Sequence, residues 1–470
     1  MSSAPETYDT IVIGAGFSGL AAGVRLAMFE QRVCVLERHY LWGGLNSFYK
    51  RGGRLFDTGL HALTNFVAKG TKGTPLARVL RQLRISHDEL ALREHEYSEI
   101  VLGDLRARFT NDIACLIDEV ARLFPGLTDR FAAFVQELSE APLGEDPDPE
   151  RSARAELDRR FGEPLLTDLL LVPCCYYGSS REDDVDWDQF VILFRSIFLE
   201  GLSMPAEGVR PLLKLFIDRL KKAGGQLRLK SEVSEILVEG GKARGVRLSD
   251  GTVIRAERVI SSAGWMETRR LLGLELPEPE VGQLSFVETI SVLDRWPNTL
   301  ERPDGHPMGA GVLFFSTKVP FVYRRPGEPC DLSSGVVSMP TNFQNMPPER
   351  EGCLRVTVLA DPDAWRGQPE QVYAERKRQW SEASLAATTA FCEDVRPFEV
   401  FREGFTPKTL HHYTAKENGA IYGSPKKHRS GKTPIDGLYL AGTDQGFLGI
   451  VGACVSGIAM ANQHALAPTL

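Results

Sequence analysis

The chain has 470 residues, enough for a large core and, on a soft length prior, for about three domains. Hydrophobic residues make up 43% and charged residues 25%, ordinary for a soluble globular protein, and the formal charge of −7 gives no electrostatic reason to expect nucleic acid. No run reaches the roughly 18 to 20 apolar residues of a membrane span, and residues 1–7 lack the serial regions of a secretory signal. The expectation is a cytoplasmic chain with at most peripheral contact with a membrane surface.

The first predicted element is a β-branched strand at residues 8–13 that runs into Gly14-Ala-Gly16 and then into a helix over 17–28 carrying Gly19. In such a strand–turn–helix unit Gly14 permits the tight turn, Gly16 lets a pyrophosphate approach the backbone, and Gly19 lets the helix lie close on the sheet. The run 32–37 reads as a buried strand by its length and β-branched content. It ends in Glu37 at about the 20-residue distance of a ribose-hydroxyl ligand, and an acid there disfavours a 2′-phosphate. The pattern announces a dinucleotide but does not separate FAD from NAD.

Helical periodicity follows at 111–124, where Ile113, Leu116, Ile117 and Val120 share a face, and at 128–138 with Phe131, Phe134 and Val135. The polar stretch 144–150 reads as an exposed loop. Residues 187–201 form a helix candidate apolar almost all the way round, interrupted by Arg195, Ser196 and Glu200, and 165–172 has the same character. Each is a core helix, or else the wall of a hydrophobic tunnel or a face dipping into a lipid interface.

A helix is expected over 208–220, short strands at 226–229 and 233–238, and a hairpin at 245–248 and 252–255 around Ser249-Asp-Gly251. The run 258–264 reads as a strand re-entering a parallel sheet. Runs 285–293, 311–315, 335–339 and 354–359 alternate with turn residues and suggest a mixed or antiparallel sheet, followed by a charged helix over 368–392. The chain closes on a second nucleotide-type signature, Leu-Ala-Gly442-Thr-Asp444 followed by Gly449-Ile450-Val451-Gly452.

Other candidates carry less. The eight cysteines are scattered without metal-ligand spacing, so no metal site is expected and they read as reduced thiols, the adjacent Cys174-Cys175 as buried ones. The basic run 426–429 reads as a solvated loop. No Ser-His-Asp order, His-Glu-x-x-His helix or paired Cys-x-x-Cys spacing is present.

What separates the dinucleotides is the run Glu37-Arg38 to Gly43-Gly44-Leu-Asn-Ser47, then Asp57-Thr-Gly59-Leu-His61. It resembles the flavoproteins of the phytoene desaturase, carotenoid isomerase and retinol saturase group, within the amine oxidase-type FAD superfamily. The closing pattern, Gly208 with its helix, Ser231 to Ile236, Thr406-Pro407 and Gly419 to Gly423 are similar to the same group. One departure is Pro205-Ala-Glu-Gly208, where many relatives have paired glycines. The resemblance implies FAD as cofactor, held by Gly14, Gly16, Gly19, Glu37, Arg38, Gly43, Gly44, Ser47, Gly59, Val233 (through its backbone to adenine), Gly442, Asp444, Ile450 and Val451. It places His61 near the isoalloxazine ring, as a substrate-orienting or proton-transferring residue, against the plainer reading of a histidine held in a structural turn.

The expected fold is therefore α/β: a Rossmann-like FAD-binding domain from residues 1–90, 204–275 and 400–470, and an α+β substrate domain from the insertions 91–203 and 276–399. The expected activity is desaturation, saturation or isomerisation of a carbon–carbon bond in a lipophilic isoprenoid or polyene, as in carotenoid biosynthesis, by hydride transfer with flavin N5. The sequence leaves the electron partner open. An amine or porphyrinogen oxidase that releases peroxide, and a non-catalytic carrier of flavin or lipophile, remain as alternatives.

Overall fold

The computed structural model describes residues 6–142, 148 and 150–466. The expected loop at 144–150 falls, apart from residues 148 and 150, outside them. The first sheet has the strand order Val233–Glu239, Lys242–Leu248, Val253–Ser261, Thr7–Ile13, Val33–Leu36, Gln226–Arg228, with Leu438–Leu440 also paired to Val253–Ser261. Thr7–Ile13 lies between two parallel neighbours. Its central position buries Thr10 to Ile13.

Two strands expected separately, at 252–255 and from 258, are one. Val253–Ser261 pairs antiparallel with Lys242–Leu248 over its first three residues and parallel with Leu438–Leu440 over its last three. It thus carries the hairpin into the parallel sheet without a break.

Helix Phe17–Ala27 packs between this sheet and the closing helix Gly449–Ala461. Small residues set the distance: a Cβ at Gly19 would lie 2.0 Å from the Gly14 carbonyl oxygen, one at Gly23 2.7 Å from Val35, and one at Gly457 1.9 Å from the Ser18 carbonyl oxygen. The two ends of the chain therefore meet backbone to backbone.

The second sheet has the order Glu399–Phe405, Ser285–Leu293, Gly352–Ala360, Ser334–Ser338, Val312–Ser316, Ser98–Leu102, Leu105–Phe109. It is mixed, as expected: Val312–Ser316 and Ser98–Leu102 are parallel and the other pairs antiparallel. The hairpin of Ser98–Leu102 and Leu105–Phe109 was not expected. Its Glu99, Arg106 and Arg108 obscure the apolar pattern, and Glu99 is buried against Arg302, at 2.8 Å, with Arg106 and Arg108 beside it. Glu399–Phe405 belongs to this sheet although its residues from 400 onward were assigned to the flavin part.

Residues 187–201 are a core helix with one edge on a cavity. Trp187–Phe194 continues into a wider π-type turn at Arg195–Leu199. Phe190, Phe194 and Phe198 are fully buried against Phe134 and Phe109. The helix expected at 165–172 runs from Pro164 to Gly178 and buries both Cys174 and Cys175 as free thiols. No helix among the described residues is long and apolar enough to cross a membrane.

The contact between the end helices gives the first prediction. Gly457→Ala should lower stability by about 1–3 kcal/mol through overpacking, read as a lower urea midpoint with an unchanged slope. An unchanged midpoint would show that the two helices have room to spare.

Candidate active site

One cavity of about 840 Å³ runs between the two sheets. At one end lie Glu37, Arg38 and Val233; the Gly-rich turns of both chain ends follow, and His61, Tyr176, Tyr177 and Phe286 lie at the other.

The glycines at this cavity differ in what demands them. Gly14 has φ +96° and donates its N–H to the Leu36 carbonyl at 2.8 Å, while Ser262 Oγ donates to the Ile13 carbonyl at 2.8 Å, so the turn is locked from both sides. A Cβ on Gly16 would meet only the Gly43 carbonyl, at 3.9 Å. Protein packing does not require glycine at 16; space in the cavity does. Helices Phe17–Ala27 and Gly449–Ala461 both begin on this cavity, and neither first turn has a side-chain cap. Two uncapped helix starts beside an open glycine suit a pyrophosphate, so the residues present fit a dinucleotide.

Among the sequence-predicted cofactor residues, Gly14, Gly16, Glu37, Arg38, Gly43, Gly44, Gly59, Val233 and Gly442 line the cavity, and so does His61. Glu37 is buried, and its carboxylate accepts from the N–H groups of Ala15 and His39, each at 2.9 Å, which ties the ribose-side strand to the first turn. Gly19, Ser47, Asp444, Ile450 and Val451 do not line it. Gly19 is a packing glycine, Ser47 Oγ donates to the Trp42 carbonyl at 2.6 Å, and the closing helix meets the cavity through Gly449, Gly452 and Ala453. Gly208, with φ +76°, packs against Asp57 rather than the cavity.

Asp444 sits behind the wall. It accepts from the N–H groups of Trp265 and Ser424, the latter at 2.9 Å, and lies 4.0 Å from Lys427. Burial alone would push its carboxyl up, but Lys416 and Lys427 hold it below the usual range. The basic run is accordingly not a solvated loop beyond Lys426. Burial lowers Lys427 to about 8, and Arg429 donates to the Gly446 carbonyl and, at 2.9 Å, to Gln189. These cations brace the turn at 442–446 against buried carboxylates.

The second sheet brings to His61 a group that the sequence reading missed. Glu288 Oε2 lies 2.9 Å from His61 Nε2, Glu288 Oε1 accepts from Arg355 Nε at 2.6 Å, and Thr357 Oγ1 lies 2.9 Å from His61 Nε2. Arg355 also donates to the carbonyl of Leu60, at 2.8 Å, and to that of Thr58. Burial would raise the Glu288 carboxyl, but Arg355 and then His61 hold it below the usual range. A signal existed: Glu288 is the only charged residue in Ser285–Leu293 and Arg355 the only one in Gly352–Ala360. A lone charge in a buried strand demands a partner. No cluster of potential metal ligands occurs among the described residues.

A nucleotide cradle with two uncapped helix starts, on a cavity that also holds the His61–Glu288 pair, is the arrangement of a flavoprotein-type oxidoreductase. Residues 17–463 match the flavin containing amine oxidoreductases, and the chain belongs to that family of FAD-dependent oxidoreductases. It is similar to the chloroplastic prolycopene isomerase of Arabidopsis thaliana, 25% identical over 97% of this chain and 82% of that one. It is also similar to the all-trans-retinol 13,14-reductase of Danio rerio, 24% identical over 96% and 85% of the two chains. The neurosporene-forming phytoene desaturase of Rhodobacter capsulatus is 27% identical over 66% of this chain and 59% of that one. Among solved structures, an oxidoreductase from Methanosarcina mazei superposes with a TM-score of 0.66 at 18% identity, covering 97% of this chain and all of that one. Putrescine oxidase superposes with a TM-score of 0.57 at 17% identity, covering 98% and 99%. These two likenesses concern the fold.

Two predictions follow from this geometry. Gly16→Val should leave the FAD-free protein's melting temperature close to wild type but abolish flavin retention, measured by absorbance after desalting; retained flavin would refute the cradle. Glu288→Gln should destabilise the protein at pH 7 by about 3–5 kcal/mol, because it strands Arg355. Since the folded carboxyl lies below its unfolded value, the wild-type advantage is full above about pH 4.3 and lost as pH falls through the folded value. Urea titrations of both proteins from pH 7 to 3 should therefore draw closer below about pH 4.3; parallel curves would contradict the pair.

Proposed function

We propose that this protein is an FAD-dependent enzyme that desaturates, saturates or isomerises a carbon–carbon bond of a lipophilic isoprenoid or polyene. The observation that carries the reading is the cavity beyond the nucleotide cradle. Tyr176, Tyr177, Leu193, Phe286, Phe447 and Leu448 line it, and its nearest carboxylate, Glu288, is already neutralised by Arg355. An apolar chain fits such a wall. The resemblance to a prolycopene isomerase, a retinol reductase and a phytoene desaturase supports the same reading.

In this proposal Gly14, Gly16, Gly43, Gly44 and Gly442 hold the pyrophosphate, Glu37 the adenosine ribose, and the Val233 backbone the adenine. Arg38 and Gly59 complete the FAD cradle, while Ser47, Asp444, Ile450 and Val451 act from behind it. Bound there, the flavin supplies hydride acceptance or donation at N5. The chain's own work is to seat the polyene, exclude water through the aromatic wall, and handle one proton at His61. The first sheet and its helices form the flavin part and the second sheet with its helices the substrate part. We further propose a cytoplasmic enzyme that takes its substrate from a membrane surface.

The test is to mix FAD-loaded protein with isoprenoid polyenes without oxygen and follow flavin and polyene absorbance together. Flavin bleaching with a red-shifted polyene is the desaturation outcome. A blue-shifted polyene formed only with pre-reduced flavin is saturation, and a geometric isomer at constant flavin state is isomerisation. No polyene change in either state, with peroxide released from amines or porphyrinogens in air, would replace this reading with the oxidase one.

A further inference from the structure

His61, Glu288, Arg355 and Thr357 come from one turn and two neighbouring strands, and the ladder explains why they meet. Glu288 stands directly opposite Thr357, and Arg355 is two residues before Thr357 on the same face. The pleat therefore presents a carboxylate, a guanidinium and a hydroxyl together toward the turn at residues 58–61. That turn is pinned: Arg355 donates to the Leu60 carbonyl at 2.8 Å and Ser338 Oγ donates to the His61 carbonyl at 2.8 Å. Ring and backbone of His61 are both held.

The arrangement decides which ring nitrogen carries the proton. An ionised carboxylate only accepts hydrogen bonds, and Arg355, whose side chain like that of Glu288 is 4% exposed, keeps Glu288 ionised. His61 Nε2, 2.9 Å from Glu288 Oε2, must then donate. Nδ1 of the neutral ring is left with its lone pair, on a side chain that remains 19% exposed and lines the cavity. The charged and titratable groups around this pair are Glu288 and Arg355, with Asp57, Tyr49 and Cys353 at the Arg355 end.

We propose that His61 Nδ1 is the proton-transfer atom of the reaction and that Glu288, buttressed by Arg355, is the positioning residue that fixes its tautomer. This rests on the carbon–carbon reading above. Making a double bond from adjacent C–H carbons removes a hydride from one and a proton from the other. The hydride leaves with both electrons to oxidised flavin, and the proton goes to the Nδ1 lone pair, giving an imidazolium paired with Glu288. In the saturating direction the imidazolium would return that proton to one carbon, the hydride for its neighbour being the chemistry that a bound reduced flavin would supply. A carboxylate behind an imidazole favours the required tautomer and stabilises the charged ring.

The test begins with the wild-type protein, FAD-loaded and labelled with ¹⁵N-histidine, with His61 assigned by comparison with His61→Gln. The expected spectrum shows a protonated Nε2 and a pyridine-type Nδ1 at high pH; a proton on Nδ1 overturns the inference whatever the substrate. Glu288→Gln removes the neighbouring anion, so the protonated share of Nε2 and the pH profile of kcat/KM should both change, and Glu288→Asp should restore most of the wild-type behaviour. If Glu288→Gln does not fold, the wild-type spectrum and the Asp variant still decide. A profile that follows none of these changes refutes the proton-transfer role. Failure of the carbon–carbon reading is seen separately, as the expected tautomer in a protein that leaves polyenes unchanged in both flavin states; that result removes the proton-transfer role and leaves the tautomer assignment standing.

Discussion

Backbone contact between the two ends of the chain is the constraint on which the rest depends. Helix Phe17–Ala27 lies so close to the first turn and to the closing helix that Cβ atoms at Gly19 and Gly457 would sit 2.0 and 1.9 Å from carbonyl oxygens. With residues 14–19 and 442–457 joined in this way, everything between them is an excursion from one nucleotide cradle. The second sheet must then be registered on that cradle by contacts of its own. Arg355 and Ser338 supply these, since their hydrogen bonds end on the carbonyls of Thr58, Leu60 and His61. The bonds that orient the sheet are the ones that set the His61 end of the cavity.

The buried charges follow the same logic. Glu267, Lys416, Lys427 and Asp444 are two acids and two bases with side chains at most 8% exposed, gathered around the 442–446 turn, the first two also lining the cavity. Such groups add little net stability over apolar replacements, since desolvation offsets attraction, but removing one member leaves a stranded charge. Their effect is to exclude alternative seatings of the turn. Burial pulls Lys427 down to about 8, while Lys416, beside Glu267 and Asp444, is raised despite its own burial. Each ammonium faces two carboxylates, but Lys427 also has Lys416 and Arg429 beside it, and their repulsion adds to its burial.

Legibility in the sequence tracked how local each signal is. The turn at Gly14 to Gly19, the acid at Glu37, the hairpin at 249–251 and the strand at 285–293 are written in contiguous residues, and the structure has each in place. Asp444 was assigned to the cofactor because it sits in the closing motif, but the sequence does not say which way an acid in a Gly-rich turn points; it points to Trp265 and Ser424. The cations at 427–429 read as solvated because their partners, Asp186, Gln189 and Asp444, are distant in sequence or separated by a turn. His61 was visible as a candidate, whereas Glu288 and Arg355 needed the ladder register to be seen as its neighbours.

On the proposed reading, the same geometry serves both directions of the reaction. A neutral imidazole whose free nitrogen faces the cavity accepts a proton, and the imidazolium backed by Glu288 donates one. Neither state requires a side chain to move, because Arg355 fixes the carboxylate and Ser338 fixes the backbone. The protein thus encodes no preference for making or removing a double bond at this pair. That preference falls to the supply or removal of electrons at the flavin, and selectivity among lipophilic substrates falls to the aromatic wall of Tyr176, Tyr177 and Phe286. With the flavin carrying the two electrons, the reading asks of the chain only one proton site, at the His61–Glu288 pair, and a shaped apolar wall.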